Sequence, residues 1–170
     1  MPELLIPPSL VHPPFYNTNS LNSGDIKSTE PMFEIPFYAE ILAENNKLEN
    51  LPWLHKKMWV PAYINRWEEE RDILQRLFKN ENRQEARPYM IIGIARFINI
   101  LFWMNNLKTQ TSSAESLEAL LPELNKTPVN SGERLAYALN NPDHYHSYIQ
   151  LRELYEETRK QFAVIKMKES

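Results

Sequence analysis

The sequence contains no cysteine and only three glycines among its 170 residues. The absence of cysteine excludes a disulfide framework, a thiolate metal site and a cysteine nucleophile. Three scattered glycines cannot form the Gly-rich loop with which nucleotide-binding folds hold phosphates. No apolar run reaches the roughly eighteen residues that suggest a membrane span. We therefore expect neither those chemistries nor a membrane protein.

A strong charge of one sign is also lacking, because the formal net charge is only −3 at pH 7. Such a balance argues against an overall electrostatic footprint for nucleic acid or for an anionic membrane. The first residues lack the basic segment and the apolar run of a signal peptide, so we expect a cytoplasmic protein. A chain of 170 residues, 42% of them hydrophobic, suits one domain with a substantial core.

The most apolar stretch runs from Pro88 to Met104 and is hydrophobic on every side of a helix. Its strongly polar interruptions are Arg96 and Asn99. A helix that is apolar all round either spans a membrane or forms the centre of a soluble core. This one is short for a span and has an arginine at its middle, where a charge is costly in lipid. We therefore predict a buried central helix at about 88–106.

Helical periodicity continues on both sides of this segment. Apolar positions recur every three or four residues, and proline, serine or asparagine stands where most of these patterns begin. The predicted helices besides the central one are 36–47, 61–79, 113–124, 130–140 and 143–167. No segment shows sustained alternation of apolar and polar residues with turn chemistry, so no sheet is predicted. The predicted fold class is all-α, a single-domain bundle of about six helices around the central one.

A proline-rich arm at residues 1–34 precedes the helical domain at 35–170. Proline removes a helix donor and biases the preceding residue to extended conformations, so the arm is not a helix. Its first sixteen residues carry many apolar side chains, namely Leu4, Leu5, Ile6, Leu10, Val11, Phe15 and Tyr16. We expect that part to lie along the helical body and the polar segment 17–29 to be mobile. Such an arm either covers its own domain or binds a partner.

One candidate ligand site combines Arg71, Arg96 and Asn99. Arg96 and Asn99 are three apart on the predicted central helix and share a face, and Arg71 falls on the apolar stripe of the preceding helix. A buried arginine needs partners, because an unpaired internal charge is costly. The candidate carboxylates are Glu70, Asp143 and Glu157. The group is either an internal ion-pair network or a pocket for an anion or a peptide carboxylate, which the guanidinium fork suits.

A weaker candidate is the cluster Asp143, His144 and His146, whose side chains are of the kind that bind divalent metals. The two histidines are two residues apart, so a helix would point them about 200° apart, since each residue turns it by about 100°. Asp143 also fits a plain role as a helix N-cap. The acidic run from Glu68 to Asp72 fits a solvated helix face, since no Glu-x-x-His motif accompanies it. We therefore expect neither a metal nor a cofactor.

Three short patterns resemble the YpoC-like family of Bacillota, small helical proteins without an assigned activity. They are the start from Ile6 to Tyr16, the pair Pro52 and Trp53, and the Pro-Tyr-x-Ile pattern that begins at Pro88. These are packing motifs and bring no catalytic residue with them. The resemblance implies a bacterial cytoplasmic protein, in agreement with the composition.

Three hypotheses on function follow. The leading one is a non-enzymatic helical protein that binds another protein, because no catalytic constellation is visible and a groove between helices accepts a partner helix or peptide. The second is a ligand-binding protein or an enzyme with a polar core pocket at Arg71, Arg96 and Asn99. The third and weakest is nucleic-acid binding through a face with Arg83, Arg87 and Lys108.

Overall fold

The central helix organises the fold, as predicted. In the computed structural model, which describes residues 3–169, helix α4 spans Arg83–Met104. Every residue from Gly93 to Met104 is buried. The helix begins five residues before the predicted start, because Asn82 caps it by accepting a hydrogen bond from the Glu85 amide at 3.4 Å. Pro88 is therefore the sixth helical residue, and the predicted bounds of 88–106 were wrong at both ends.

The described part of the chain contains seven α-helices, and this confirms the predicted all-α class. They are α1 Pro31–Glu34, α2 Tyr38–Glu44, α3 Lys56–Lys79, α4, α5 Ala114–Leu120, α6 Ser131–Asn140 and α7 Tyr145–Lys168. The single-turn helix α1 was not predicted, and α3 begins five residues before Pro61. Ser113 caps α5, since its Oγ accepts from the Ser116 amide at 3.1 Å.

Helices α3, α4 and α7 pack through large aromatic side chains. The rings of Trp67 on α3 and Tyr155 on α7 stack with their centroids 4.4 Å apart. The Tyr155 hydroxyl donates to the carbonyl oxygen of Gly93 on α4 at 2.6 Å. A side chain at position 93 would place its Cβ 3.1 Å from the Trp67 ring, so glycine permits this close approach. The three helices therefore form one continuous core.

The prediction that the chain has no sheet was wrong. Strand β1 at Glu3–Leu5 pairs antiparallel with β2 at Ser20–Asn22, with Leu4 opposite Leu21. Both strands have three residues, too few to show alternation, and a long stretch of irregular chain joins them. Their pairing depends on docking against the helices, which no local pattern reveals.

The N-terminal arm packs on its own helical body. Leu4, Ile6 and Leu10 are at most 3% exposed and belong to the core. The Tyr16 hydroxyl donates to the Pro36 carbonyl at 2.7 Å, and the Ser112 amide donates to the Ser9 carbonyl at 3.2 Å. These contacts are those of an arm that covers its own domain. The division at residue 34 and the mobility of 17–29 stay predictions.

Candidate functional site

A buried carboxylate lies at the centre of the polar groups inside the core. Glu40 on α2 is 3% exposed, and three donors from other parts of the chain point at it. Asn99 Nδ2 donates to its Oε1 at 3.0 Å. Trp103 Nε1 and the Thr109 amide donate to its Oε2 at 2.8 and 3.0 Å. Glu40 thereby ties α2 to α4 and to the segment that follows α4.

Burial raises the pKa of Glu40 above its usual range, because desolvation disfavours the charged carboxylate. The donated hydrogen bonds act in the opposite direction and favour the ionised form. The Asn99 amide also donates to Thr109 Oγ1 at 2.7 Å, so the donors of its amide group are engaged inside the protein. This arrangement is that of a structural network, which holds α2 against α4.

Arg96 lies one turn before Asn99 on α4 and pairs with a different helix. It is 3% exposed and its Nη2 donates to Glu70 Oε1 on α3. Glu70 Oε2 accepts from Arg66 Nε at 3.2 Å, and Arg66 also pairs with Glu30 at 2.8 Å. Of the three predicted carboxylate partners, Glu70 is the one that meets the core arginine. It is also 15% exposed in its side chain, so it does not belong to the solvated face on which the acidic run was placed.

Two nitrogen atoms of Arg96 remain without a protein partner within residues 3–169. They are Nε and Nη1, and both are buried. A cavity of about 330 Å³ lies beside Glu70 and is lined by Glu34, Glu70, Pro88, Tyr89 and Ile92. Ile92 and Tyr89 precede Arg96 by four and seven residues and share its face of α4. The lining residues of this cavity are half-buried or exposed and do not include Arg96, so it is a surface depression beside the partner of the arginine and not a pocket inside the core.

Arg71 does not join this group, contrary to the prediction that its side chain is buried. The side chain is 40% exposed, and its Nε lies 3.9 Å from Asp72 Oδ1 on the surface. The backbone of residue 71 does face the core, because its carbonyl accepts from the Tyr148 hydroxyl at 3.3 Å. The long side chain carries the guanidinium away from that interface into water. The guanidinium groups of Arg71 and Arg96 therefore lie in different surroundings, the first at the surface and the second in the core.

The metal candidates lie at the start of α7 and are separated. Asp143 Oδ1 is 3.4 Å from Arg83 Nη2, and the His146 ring packs edge-on against Tyr137 at 5.1 Å. His144 is the N-cap residue of α7, in extended backbone, and its side chain makes no capping hydrogen bond. Across residues 3–169, no three His, Asp or Glu side chains stand close enough to hold a metal ion. The expected capping role of Asp143 was wrong by one residue.

The basic residues proposed for nucleic acid do not all lie on one face, since the exposed Arg83 and Arg87 are one turn apart on α4 but Lys108 is distant from both. Arg83 begins α4, and Lys108 follows its end. A helix of 22 residues is about 33 Å long at about 1.5 Å per residue, so these two cations lie at opposite ends of it. Arg83 is also partly neutralised by Asp143. No continuous phosphate-binding stripe results from this set.

A surface feature absent from the sequence predictions lies where α3 begins and α7 ends. We call it the α3 cleft, a depression of about 440 Å³ lined by Leu54, His55, Lys56, Lys57, Met58, Asn106 and Glu169. Leu54 and Met58 are four residues apart, and each is 65% exposed. Lys56 Nζ pairs with Glu169 at 3.0 Å and holds the last turn of α7 beside the cleft. Two large apolar side chains are thus presented to solvent together.

A second depression, the α7 cleft, adjoins the first across the turn after α4. It measures about 260 Å³ and is lined by Asn125, Lys126, Thr127, Gln161, Val164, Ile165 and Lys168. Asn105 connects the two, since its Nδ2 donates to the Lys126 carbonyl at 2.8 Å while its neighbour Asn106 lines the α3 cleft. Val164 is 49% exposed there. Together, the two clefts flank the end of α7.

Sequence patterns did not indicate these clefts, because the segment 51–61 is rich in large apolar and aromatic residues of the kind that pack in a core. That holds for Trp59, which is half-buried and packs edge-on against Tyr63 at 6.2 Å. Leu54 and Met58 alternate with such core residues and face outward instead. The available signal was Lys56 and Lys57 between two apolar residues, a pattern typical of an exposed amphipathic surface.

None of the helices within residues 3–169 is long and apolar enough to cross a membrane. Fold and site together define a small all-α protein whose core is organised by a buried polar network and whose one end carries two adjoining clefts.

Comparison with known proteins shows the family of this chain. The chain belongs to the YpoC-like protein family, whose model matches residues 57–170, and this confirms the resemblance seen in the sequence. It is similar to the protein named "Uncharacterized protein YpoC" of Bacillus subtilis (strain 168), with 28% identity over 142 residues. That alignment covers 83% of this chain and 82% of the relative. No solved structure matches the chain.

Proposed function

We propose that this protein is a non-enzymatic module that binds another protein through the α3 and α7 clefts. The observation that carries the proposal is the joint exposure of Leu54 and Met58 in a concave surface, at 65% each. A concave surface with exposed apolar side chains is the usual receptor for a helix or an extended peptide. Burying the exposed part of a leucine and a methionine contributes at most roughly 1.5–3 kcal/mol each, so these two residues would supply part of the binding energy.

The buried network supports a non-catalytic reading of the core. Glu40 is enclosed and engaged by Asn99, Trp103 and Thr109. A general acid or base must reach the proton that it transfers, directly or through one water. A carboxylate held in this way stabilises the fold instead of acting on a substrate.

The experiment is site-specific photocrosslinking in the native host cells. A photoreactive phenylalanine analogue replaces Leu54 in one chain and Tyr137 in a control chain. Tyr137 is also surface-exposed, at 40%, but contacts His146 near the beginning of α7. We expect a discrete protein adduct from position 54, loss of that adduct when Met58→Asp is added, and no such adduct from position 137. Equal labelling from both positions, or none from position 54, would refute the proposal.

A second candidate function, a small-ligand site, is favoured by the 330 Å³ depression at Glu70, whose partner Arg96 has no acceptor for Nε and Nη1 within residues 3–169. A ligand with a carboxylate could supply the missing acceptors. A thermal-shift screen of small carboxylic acids tests this, with Ile92→Trp as the variant that fills the cavity. A ligand that raises Tm in the natural chain and not in the filled variant would support the site. Equal shifts in both, or none, would exclude it.

A further inference from the structure

The charge of the two clefts differs in sign from that of the whole chain. Their linings carry four lysines and one glutamate, against a net charge of −3 for the chain. The charged lining residues are Lys56, Lys57, Lys126, Lys168 and Glu169. Glu169 is engaged by Lys56 at 3.0 Å. Within residues 3–169, no carboxylate lies within salt-bridge distance of Lys57, Lys126 or Lys168, and Lys57 Nζ donates to the uncharged Glu169 carbonyl at 2.8 Å. The clefts therefore present positive charge that the described chain does not neutralise.

We infer that the segment which occupies these clefts is an acidic amphipathic helix of the partner protein, an inference that rests on the proposed function. Apolar residues on one stripe of that helix would contact Leu54 and Met58 in the α3 cleft and Val164 in the α7 cleft. Its glutamates and aspartates would face Lys57, Lys126 and Lys168. Opposite charges around an apolar contact set the orientation of a partner and speed its association.

The shape of the surface favours a peptide over a membrane. A protein that inserts into the interface of a bilayer presents a continuous apolar face. Here the exposed apolar side chains are Leu54 and Met58 in one depression of about 440 Å³, Val164 in another of about 260 Å³, and Met167 on the last turn of α7 between them, and lysines stand among them. Separate depressions accept the side chains of a helix individually, as grooves do for the anchor residues of an amphipathic helix.

The test uses two synthetic 18-residue helical peptides and the full chain. Both peptides carry leucine at positions i, i+3, i+4 and i+7, one with glutamate and the other with lysine at the polar positions. Fluorescence anisotropy measures their affinities. We expect the acidic peptide to bind at least tenfold more tightly than the basic one, and its binding to weaken as salt is raised, since the pairs are exposed.

Charge-reversal variants test whether the acidic peptide binds at the two clefts. Lys57→Glu and Lys168→Glu should each weaken binding at least fivefold, and Met58→Asp should abolish it. The matched control is Lys79→Glu, because Lys79 is exposed at the opposite end of the same helix as Lys57 and should leave binding unchanged. Circular dichroism of each variant ensures that a loss is not caused by unfolding.

Lipid vesicles test whether an anionic membrane surface, instead of an acidic peptide, binds at the two clefts. Co-sedimentation with phosphatidylglycerol vesicles, compared with phosphatidylcholine vesicles, should show no binding that depends on Lys57. Vesicle binding without peptide binding would overturn the inference in favour of a membrane surface. Failure of both peptides would also overturn it. If position 54 nevertheless crosslinks to a protein in cells, the module function stands and only the acidic character of its partner is refuted.

Discussion

Removing the Glu40 side chain should destabilise the protein more than its place in a seven-residue helix suggests. Glu40→Ala leaves Trp103 Nε1 and the Thr109 amide without their acceptor, while Asn99 Nδ2 loses one of its two acceptors and keeps Thr109 Oγ1. A buried donor without a partner costs about 1–3 kcal/mol. Two such donors give a loss of at least about 2 kcal/mol in the free energy of unfolding, taking the low end because water can enter the space vacated.

Glu40→Gln is the matched comparison, because glutamine has nearly the same shape. Its oxygen can still accept from Trp103 and Thr109, and the Asn99 amide can rotate so that its own oxygen faces the new NH₂ group. We expect its loss to be less than half that of Glu40→Ala, measured by urea denaturation at pH 7. Equal losses for both variants, or an alanine loss below about 1 kcal/mol, would show that the network does not stabilise the fold.

Three further predictions concern the core, a close contact and pH. Phe102→Ala should cost about 3–5 kcal/mol of unfolding free energy through a cavity, and Glu69→Ala less than about 0.5 kcal/mol, both by urea denaturation. Gly132→Ala should cost about 1–3 kcal/mol and lower Tm, because the new Cβ would lie 2.9 Å from the Glu118 backbone. Since burial raises the pKa of Glu40 in the folded chain above its value in the unfolded chain, the folded state binds this proton more tightly. The stability of the natural chain relative to Glu40→Gln should therefore fall as pH rises from 4 to 8.

Each of these has a contradicting result. Similar losses for Phe102→Ala and Glu69→Ala would mean that the central helix is wrongly placed. An unchanged Tm for Gly132→Ala would mean that α5 and α6 are less closely packed than the structure shows. A stability difference between the natural chain and Glu40→Gln that stays constant or rises with pH would contradict the raised pKa of Glu40.

The sequence allowed the central helix to be predicted because a segment that is apolar on every side has few other places in a soluble fold. The first residues of α3 and α4 were not predicted correctly, since Pro61 and Pro88 were expected in the first turn of each helix. Each is the sixth helical residue. The extra turn of α4 is stabilised by the Asn82 cap and by Ala86, which is fully buried. Tertiary packing thus outweighed the local preference of proline.

Helical periodicity predicted correctly which backbone positions of the polar residues face the core. It did not predict where the end of a long side chain lies. Arg96 and Asn99 were recognised because they interrupt an apolar helix, and both are buried. Arg71 was placed inside by the same periodicity, but its guanidinium reaches solvent. Glu40 was missed because its partners lie 59 to 69 residues further along the chain. No local pattern encodes such a distant acceptor.

The reach of Glu40 along the chain also has a consequence for protein synthesis. A ribosome releases residue 40 well before it releases Asn99, Trp103 and Thr109, which are 59, 63 and 69 residues behind it. Until Thr109 has left the exit tunnel, α2 has no complete site in which to bury its carboxylate. The N-terminal third therefore waits for the middle of the chain, in contrast to proteins whose domains fold from the N-terminus as they emerge. A nascent chain stalled before Thr109 should remain open to protease in α2.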